Sequence, residues 1–307
     1  MINDKQLEMY PLTKNVLEYM NTHYVLYAKT YAYIKDVFNE DFLAFSENIL
    51  SLVKRKLGSD DKFVKCIKAF IKYSHEYFIL QVKLNKSGKY LYSSFQEVNH
   101  DIYQSEKMNE YYLDGLLLSQ ILWPNHYIMG KYFIDHAELT KPSSIILDIP
   151  SGTGIYAYFL SRHFRFSKLY SYDISPHARM YAEDLLISSS RDTSNISFGI
   201  CDIYEINQDR KFDFIVCGEL LEHVDNPEKL LHKIKSLLKD NGSVFLTTAI
   251  YAAAIDHIYL FNNVNEVRVL LNKCFTITSE LILPTSLEAY NEEMNKVPIN
   301  YACILRK

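Results

Sequence analysis

The sequence predicts an α/β protein with a seven-stranded, doubly wound, Rossmann-like sheet whose last strand is antiparallel, preceded by an all-α N-terminal segment. Two observations support this prediction. Up to about residue 123 the apolar residues recur at three- and four-residue steps, whereas after Pro142 short β-rich runs alternate with helical runs. This alternation is typical of parallel strands whose connecting helices cover both faces of a sheet. We therefore expect a helical cap and substrate domain at residues 1–135 and a sheet domain at residues 136–307.

The N-terminal segment has the pattern of successive helices. Apolar periodicity predicts helix over residues 22–57, with a break at 39–41, and again over residues 52–78. The run KLNKSGK at residues 83–89 predicts a turn. A further helix is expected over residues 109–122, ending before Pro124, because the residue that precedes a proline disfavours helical dihedral angles.

The C-terminal part supplies the strands. Its β-rich runs occupy residues 144–149, 168–174, 196–201, 212–217, 243–249, 275–283 and 299–305. Helices are predicted from Ile155 onward and over residues 177–188, 227–238 and 264–273. No helix long enough for a crossover separates the last two strands, so we expect them to pair antiparallel.

Composition and charge exclude several classes of protein. The chain has 307 residues, of which 48% are hydrophobic and 23% charged, as in globular proteins with a substantial core. Lys and Arg number 33 against 37 Asp and Glu, and the net charge of −4 argues against a nucleic-acid partner. The five cysteines lie far apart, without the spacing of metal ligands, so we expect reduced thiols in the cytoplasm and no metal. We also expect no signal peptide and no membrane helix, and the sequence allows a homodimer.

A glycine loop follows the first predicted strand. Residues 145–154, IILDIPSGTG, place Asp148 at the end of a buried strand and then Ser151, Gly152 and Gly154 in a tight turn before a helix. Glycines there let the backbone approach a ligand closely, because a Cβ would collide with it, although a strand-to-helix turn can need glycine for its backbone alone. The loop lacks the lysine of a P-loop and the third glycine of the dinucleotide fingerprint. Asp148 would also repel a pyrophosphate, so these features favour a cationic ligand.

Acidic residues also follow the next three strands. Asp173 and then Ile174 end the second, Asp202 and Ile203 follow the third, and Glu219 follows the fourth. Open α/β sheets bind ligands at the edge where these strand ends meet. A carboxylate there can accept both hydroxyls of a ribose or the exocyclic amine of an adenine. Taken singly, each acid also suits a solvated loop.

The runs LDIPSGTG, YSYDIS, ICDIYE and CGELLEHVDNP together resemble the class I S-adenosylmethionine (SAM)-dependent methyltransferases over residues 142–307. The resemblance implies SAM as the cofactor. It implies that Asp148, Ser151, Gly152 and Gly154 contact the methionine part of SAM. Asp173 and Ile174 would contact the ribose region, Asp202 and Ile203 the adenine, and Glu219 would form the floor of the site. Pro150 stands where the family usually has glycine, so we expect a variant of the family's loop, in which Ser151 still offers a backbone donor.

Methyl transfer depends mainly on proximity and orientation, and a general base is needed only when the acceptor arrives protonated. In families similar to this one, the N-terminal segment and the loop after the fifth strand build the acceptor pocket. The candidate catalytic residues are Asn125, His126 and Tyr127 in the first region, and His257 and Tyr259 in the second. The alternative for these residues is a packing role beneath the helices.

The sequence therefore predicts a SAM-dependent methyltransferase that acts on a small-molecule metabolite or biosynthetic intermediate in a pocket closed by the helical domain. Two alternatives stay open. Some proteins similar to this fold use SAM itself as the substrate, as azetidine-2-carboxylate synthases do when they cyclise it and release methylthioadenosine. The other alternative is a non-catalytic SAM-binding subunit.

Overall fold

The computed structural model describes residues 1–106, 111–137, 141–286, 290 and 296–307. Its helices are Asp4–Glu8 (α1), Pro11–His23 (α2), Ala28–Val37 (α3), Glu40–Leu57 (α4), Asp60–Ser87 (α5), Phe95–Val98 (α6), Leu113–Leu122 (α7), Pro124–His136 (α8), Ile155–His163 (α9), Pro176–Ser188 (α10), Pro227–Leu237 (α11) and Val264–Asn272 (α12). Its strands are Ile145–Asp148 (β1), Lys168–Asp173 (β2), Ile196–Ile200 (β3), Phe212–Cys217 (β4), Leu238–Ile250 (β5), Thr276–Pro284 (β6) and Ile299–Arg306 (β7).

The strands form one seven-stranded sheet in the order β3-β2-β1-β4-β5-β7-β6. Strands β1 to β5 pair in parallel, and β7 lies between β5 and β6, antiparallel to both. The predicted architecture, with an antiparallel last strand and helices before the sheet, is confirmed. Because the strand order reverses beside β1, the carboxyl ends of β1 and β4 border the crevice in which such sheets bind ligands.

Both faces of the sheet are buried, which explains the continuous apolar runs of its central strands. On β4, Phe214 and Val216 point to the face that packs against α8 and α9, whereas Ile215 and Cys217 point to the face that packs against α11 and α12. Successive side chains of a strand alternate between faces, so each strand contributes to two cores.

Two boundaries in the N-terminal helices differ from the prediction. The helical pattern over residues 52–78 is interrupted at Gly58, which ends α4 in a left-handed conformation with φ of +73°. The turn predicted at residues 83–89 is wrong, because α5 continues through Ser87 and ends at Gly88. Leu80 and Leu84 are buried along α5 and keep this part of the chain helical. The first residues of the helix predicted over 109–122 lie outside the described residues, and α7 accounts for the rest.

The N-terminal helices and the sheet share hydrophobic core. One cluster of buried side chains runs from Ile2 in the first residues to Ile304 in β7. The predicted boundary after residue 135 falls at the end of α8, and the division into two domains stays a prediction. Among the residues described, no helix combines the length and apolar character needed to cross a bilayer.

Candidate functional site

A large cavity lies between the carboxyl ends of the central strands and the N-terminal helices. Its volume is about 970 Å³, at the upper end of the roughly 300–1,000 Å³ typical of small-molecule pockets. Its sheet side is formed by residues 150–153 after β1, 173–175 after β2 and 218–220 after β4. The cavity therefore occupies the edge at which open α/β sheets bind ligands.

The loop after β1 presents Ser151 and Gly152 to this cavity. The Ser151 N–H donates to the Tyr172 carbonyl at 2.8 Å, so it is not the free backbone donor that the sequence suggested. The Ser151 hydroxyl is buried and has no hydrogen-bond partner among the described residues. Gly152 has a φ of +49°, and a Cβ added to it would meet no atom within 4 Å. The loop therefore offers an unsatisfied hydroxyl and open space, as expected of a ligand-binding surface.

Gly154 has a different role from Gly152. Its φ is +79°, and an added Cβ would lie 2.8 Å from the Cα of Ala182 on α10. It is not among the residues that line the cavity. Its lack of a side chain allows close packing of the α9 N-terminus against α10, rather than the approach of a ligand that we expected.

Asp173, at the end of β2, lines the cavity together with Ile174. The Asp173 carboxylate accepts the Gly152 N–H at 2.8 Å and the Ser175 N–H at 2.9 Å. Burial raises its pKa, and these backbone donors oppose the rise. A carboxylate has about four acceptor positions, so Asp173 keeps acceptor capacity for a ligand while it holds the loop in place.

Asp148, at the end of β1, does not reach the cavity. Its carboxyl is fully buried, and Oδ2 accepts the Ser171 hydroxyl at 2.9 Å. Burial raises the pKa of Asp148 to about 7. The structure thus places this acid behind the loop, and a direct contact to the methionine part of SAM has no support from the geometry.

Asp202 and Ile203, after β3, are also absent from the lining of the cavity. The Asp202 side chain accepts the Tyr204 N–H at 2.9 Å and caps the short 3₁₀ turn that follows. Ile203 is buried in the core beneath the sheet. The adenine contact stays a prediction for both residues.

Glu219, after β4, lines the cavity in an unusual backbone conformation. Its φ is +48°, a left-handed value that is uncommon for residues other than glycine and is found preferentially at functional sites. Thr247 holds this conformation, because the Glu219 N–H donates to its carbonyl at 3.1 Å and to its hydroxyl at 3.0 Å. Glu219 Oε1 is buried without a hydrogen-bond partner in the described part of the chain.

His126 and Asn125, at the start of α8, both line the cavity. The Ser119 hydroxyl donates its hydrogen to the Leu116 carbonyl, so His126 Nδ1 donates to Ser119 Oγ at 2.8 Å. This leaves the His126 Nε2 lone pair available, and burial lowers the pKa of His126 to about 4. Asn125 instead ties α8 to the sheet, since its amide donates to the Leu283 carbonyl at 2.9 Å.

Tyr127 and Tyr259 lie elsewhere. Tyr127 is buried among Phe38, Phe42 and Phe45, with ring centroids 4.9–5.0 Å away. Tyr259 is 39% exposed and packs against Phe261. The geometry gives these two candidates packing roles and no access to the cavity.

The structure brings together a set that the sequence analysis did not combine. Glu222, His223 and His257 are each at least nine-tenths buried, and one ligand atom from each lies within 4.8 Å of the others. Burial lowers the pKa of His257 to about 3. Burial, followed by the neighbouring Glu219 carboxylate, raises the pKa of Glu222. The signal that could have found this set is a Glu-His pair after β4 and a histidine after β5.

Aromatic side chains from the N-terminal helices form the opposite wall. Tyr73 and Tyr77 of α5 contact Trp123, with ring centroids 5.5 and 5.2 Å away. The Tyr112 hydroxyl donates to Asp256 Oδ2 at 2.9 Å, and the Tyr103 hydroxyl lies 3.0 Å from His223 Nδ1. This wall suits a ligand with an apolar or aromatic body. The sequence analysis could not select these tyrosines from the 25 in the chain.

The family model for a methyltransferase domain matches residues 126–293, more than half of the chain. Malonyl-[acyl-carrier protein] O-methyltransferase 1 of Ilyobacter polytropus is 27% identical over 130 residues, which are 41% of this chain and 47% of that protein. Ubiquinone biosynthesis O-methyltransferase of Coxiella burnetii is 28% identical over 112 residues, which are 36% of this chain and 46% of that protein. The chain thus spans about half the length of the curated relatives it matches.

A solved structure that is similar is that of the N-methyltransferase NodS from Bradyrhizobium japonicum in complex with S-adenosyl-L-homocysteine. It is 14% identical, with a TM-score of 0.47, and the match covers 69% of this chain and 98% of NodS. The family match covers the glycine loop, the acids after β2 and β4, and most of the sheet described above. The chain therefore belongs to the class I SAM-dependent methyltransferases through residues 126–293, and S-adenosylmethionine is its cofactor.

Proposed function

We propose that this protein transfers the methyl group of SAM to a small molecule held in the cavity beneath the N-terminal helices. The observation that carries this proposal is the cavity itself. Its volume of about 970 Å³ leaves room for a cofactor and an acceptor together, and residues of the N-terminal helices line the side opposite the sheet. A net charge of −4 also favours a small acceptor over a nucleic acid.

The residues at the sheet edge fit SAM. The unpartnered hydroxyl of Ser151 and the open space at Gly152 can receive its polar amino-acid part. Asp173 has acceptor positions left for the ribose hydroxyls. When bound, SAM supplies a methyl group carried on a positively charged sulfur. We assign Ser151, Gly152, Asp173 and Ile174 to this site, because all four line the cavity.

The aromatic wall would receive the acceptor. Tyr73, Tyr77 and Trp123 form a contiguous aromatic surface on the cavity. Such a surface holds an apolar or aromatic acceptor by burial, and it can also stabilise a nearby positive charge by about 0.5–2 kcal/mol per ring. It therefore both orients the acceptor and excludes water from the reacting atoms.

A protonated acceptor needs a base, and a neutral imidazole is available at the cavity. His126 is neutral at pH 7 because burial lowers its pKa to about 4. Its Nδ1 makes the hydrogen bond to Ser119 of α7, so the Nε2 lone pair is left for a ligand. This ring can accept a proton from an acceptor that contacts its Nε2.

Calorimetric titration with SAM tests the cofactor site. Asp173→Asn should weaken SAM affinity by more than about tenfold, roughly one charge-assisted hydrogen bond. Asp213→Asn is the matched control, since Asp213 also accepts a backbone N–H, from Ile145 at 2.8 Å, but at the amino end of β4. Wild-type protein that binds no SAM would overturn the proposal, and equal affinities in the two variants would overturn the role of Asp173.

Mass spectrometry of reaction mixtures tests the chemistry. With SAM alone we expect intact SAM, and with hydroxylated aromatic acceptors we expect S-adenosylhomocysteine together with a methylated product. Methylthioadenosine in excess of a boiled control would refute methyl transfer and favour cyclisation of SAM. SAM that binds but stays intact with every acceptor would favour a non-catalytic subunit.

A further inference from the structure

We propose that Glu222, His223 and His257 bind a divalent transition-metal ion whose open coordination positions face the cavity and receive an oxygen atom of the methyl acceptor. The identity of the acceptor as an oxygen ligand rests on the proposed function, whereas the metal site stands on the geometry of these side chains alone. A cation there would hold the acceptor between the aromatic wall and the glycine loop.

The spacing of the side chains fits one ion. One ligand atom from each of the three residues lies within 4.8 Å of the other two, and His223 Nε2 is 3.9 Å from Glu222 Oε1. Metal–ligand distances of about 2.0–2.2 Å put neighbouring ligands roughly 3–4.4 Å apart. The set therefore needs only a small contraction around a bound ion.

Both histidines are oriented as metal ligands commonly are. His257 Nδ1 donates to the Ala252 carbonyl at 2.8 Å, and His223 Nδ1 donates to the Asp256 carbonyl at 3.0 Å. A carbonyl oxygen only accepts, so each ring carries its hydrogen on Nδ1 and keeps a lone pair on Nε2. Ligating histidines typically donate their other N–H to a carbonyl or carboxylate in this way, which fixes the tautomer and the ring orientation.

The carboxylates are held in place as well. Glu222 Oε2 accepts the Thr248 hydroxyl at 2.6 Å, and Oε1 accepts the Ala249 N–H at 3.2 Å. The Glu219 carboxyl contacts that of Glu222, and its Oε1 is buried without a partner in the described residues. Glu222 is fully buried and the neighbouring Glu219 is half-buried with its Oε1 shielded from solvent, and two negative charges so placed are costly without a positive charge between or beside them. A cation would satisfy both, with Glu219 placed to become a further ligand.

The backbone joins the two loops that carry the set. The N–H groups of Ile258 and Tyr259 both donate to the Glu222 carbonyl at 2.9 Å. This contact fixes the loop after β5 against the 3₁₀ turn after β4, so His257 and Glu222 approach each other although they lie 35 positions apart in sequence.

The donor set indicates the class of metal and of acceptor. Two imidazoles with carboxylate favour Mn²⁺, Fe²⁺, Co²⁺ or Zn²⁺ over Mg²⁺ and Ca²⁺, which prefer oxygen alone. His223 and Glu219 line the cavity, so the coordination positions not taken by protein face the acceptor. A hydroxyl bound to such an ion has a lowered pKa and loses its proton to water more readily. The favoured acceptor is therefore an alcohol or phenol.

The test is a titration of the full-length, chelator-treated protein with Mn²⁺, with free Mn²⁺ followed by electron paramagnetic resonance. We expect one tight site per chain. His257→Ala and Glu222→Gln should each weaken Mn²⁺ affinity by at least about 100-fold, the upper end of the loss when only an outer-shell partner is removed. His126→Ala and Asp213→Asn, which change a cavity histidine and a sheet aspartate outside the cluster, should bind Mn²⁺ as the wild type does.

Thermal unfolding separates lost ligands from lost folding. Excess Mn²⁺ should raise the Tm of the wild type and of both controls, because a ligand that binds the native state stabilises it. It should not raise the Tm of the His257→Ala and Glu222→Gln proteins, provided that these are folded. Catechol, added as a probe, should alter the spectrum of bound Mn²⁺, and an unchanged spectrum would refute the open positions.

Wild-type protein that binds neither Mn²⁺ nor Zn²⁺, or ligand variants that bind like the wild type, would overturn the site. Failure of the proposed function gives a different result. A protein that binds Mn²⁺ but not SAM would refute methyl transfer and leave the metal site standing.

Discussion

Replacing Gly154 by alanine should destabilise the fold by about 2–5 kcal/mol, because two costs add. Gly154 has a φ of +79°, a left-handed conformation that costs other residues about 1–2 kcal/mol. The new Cβ would lie 2.8 Å from Ala182 Cα and 2.9 Å from Ala182 Cβ. Overpacking of this kind typically costs about 1–3 kcal/mol. Backbone cannot move aside as a flexible side chain does, so we expect the full effect.

Two other glycines separate these costs. Gly58 has a φ of +73° and would meet no atom within 4 Å, so Gly58→Ala should lose only the conformational cost of about 1–2 kcal/mol. Gly152→Ala should have a similar effect on stability for the same reason. Because Gly152 lines the cavity, however, its variant should bind SAM more weakly, whereas folded Gly58→Ala should not.

Urea unfolding followed by tryptophan fluorescence measures these differences, provided that the slope m is unchanged. Trp123 is the single tryptophan and is packed among Phe70, Tyr73 and Tyr77. Adding Ala182→Gly to Gly154→Ala should rescue only part of the loss, since the Cα stays at 2.8 Å. A Gly154→Ala protein as stable as Gly58→Ala would refute the packing role of Gly154.

Three further predictions concern residues at or near the site. The wild type should lose stability on the order of 4 kcal/mol as pH rises from about 4 to about 7, because burial raises the pKa of Asp148 to about 7 and the native state therefore holds a proton that the unfolded chain releases. Asp148→Asn should remove this pH dependence, and urea unfolding of variant and wild type across that range would show no difference between them if the reasoning is wrong. Gln81→Leu should lower the free energy of unfolding by about 2–4 kcal/mol, because the Gln81 amide accepts the Ala253 N–H at 2.8 Å and donates to the Tyr251 carbonyl at 3.0 Å. Asn48→Leu is the exposed control, and equal stability of the two variants within error would contradict this prediction. Tyr127→Phe should leave stability and SAM binding nearly unchanged, whereas Tyr127→Ala should lower the free energy of unfolding by about 3–5 kcal/mol. A loss of methyl transfer in a stable Tyr127→Phe protein would restore this tyrosine as a catalytic candidate.

The glycine loop shows how far a motif predicts function. Its position after a buried strand, with an acid before it, was sufficient to predict a ligand site at the sheet edge. The structure then divides the two glycines, because Gly152 faces open space whereas Gly154 faces the backbone of α10. The sequence could not predict this division, since both glycines have positive φ and only their neighbours in space differ.

The run Asn125, His126 and Tyr127 illustrates a second limit. The sequence presents the three as one candidate group, but α8 turns by about 100° per residue, so successive side chains point to different surroundings. Asn125 and His126 line the cavity, and Tyr127 packs among phenylalanines. Which face of a helix meets a cavity depends on what it packs against.

The sequence by itself determined the order and type of the strands and predicted a ligand site at the carboxyl edge of the sheet. These features follow from hydrophobic periodicity and from local runs of residues that lie together in the chain, and the resemblance of those runs to the class I methyltransferases implied the cofactor. The tertiary structure decided which tyrosines line the cavity, and it brought His257 against Glu222 and His223. Those contacts join segments that are distant in sequence, and they arise because parallel strands place their following loops at one edge of the sheet.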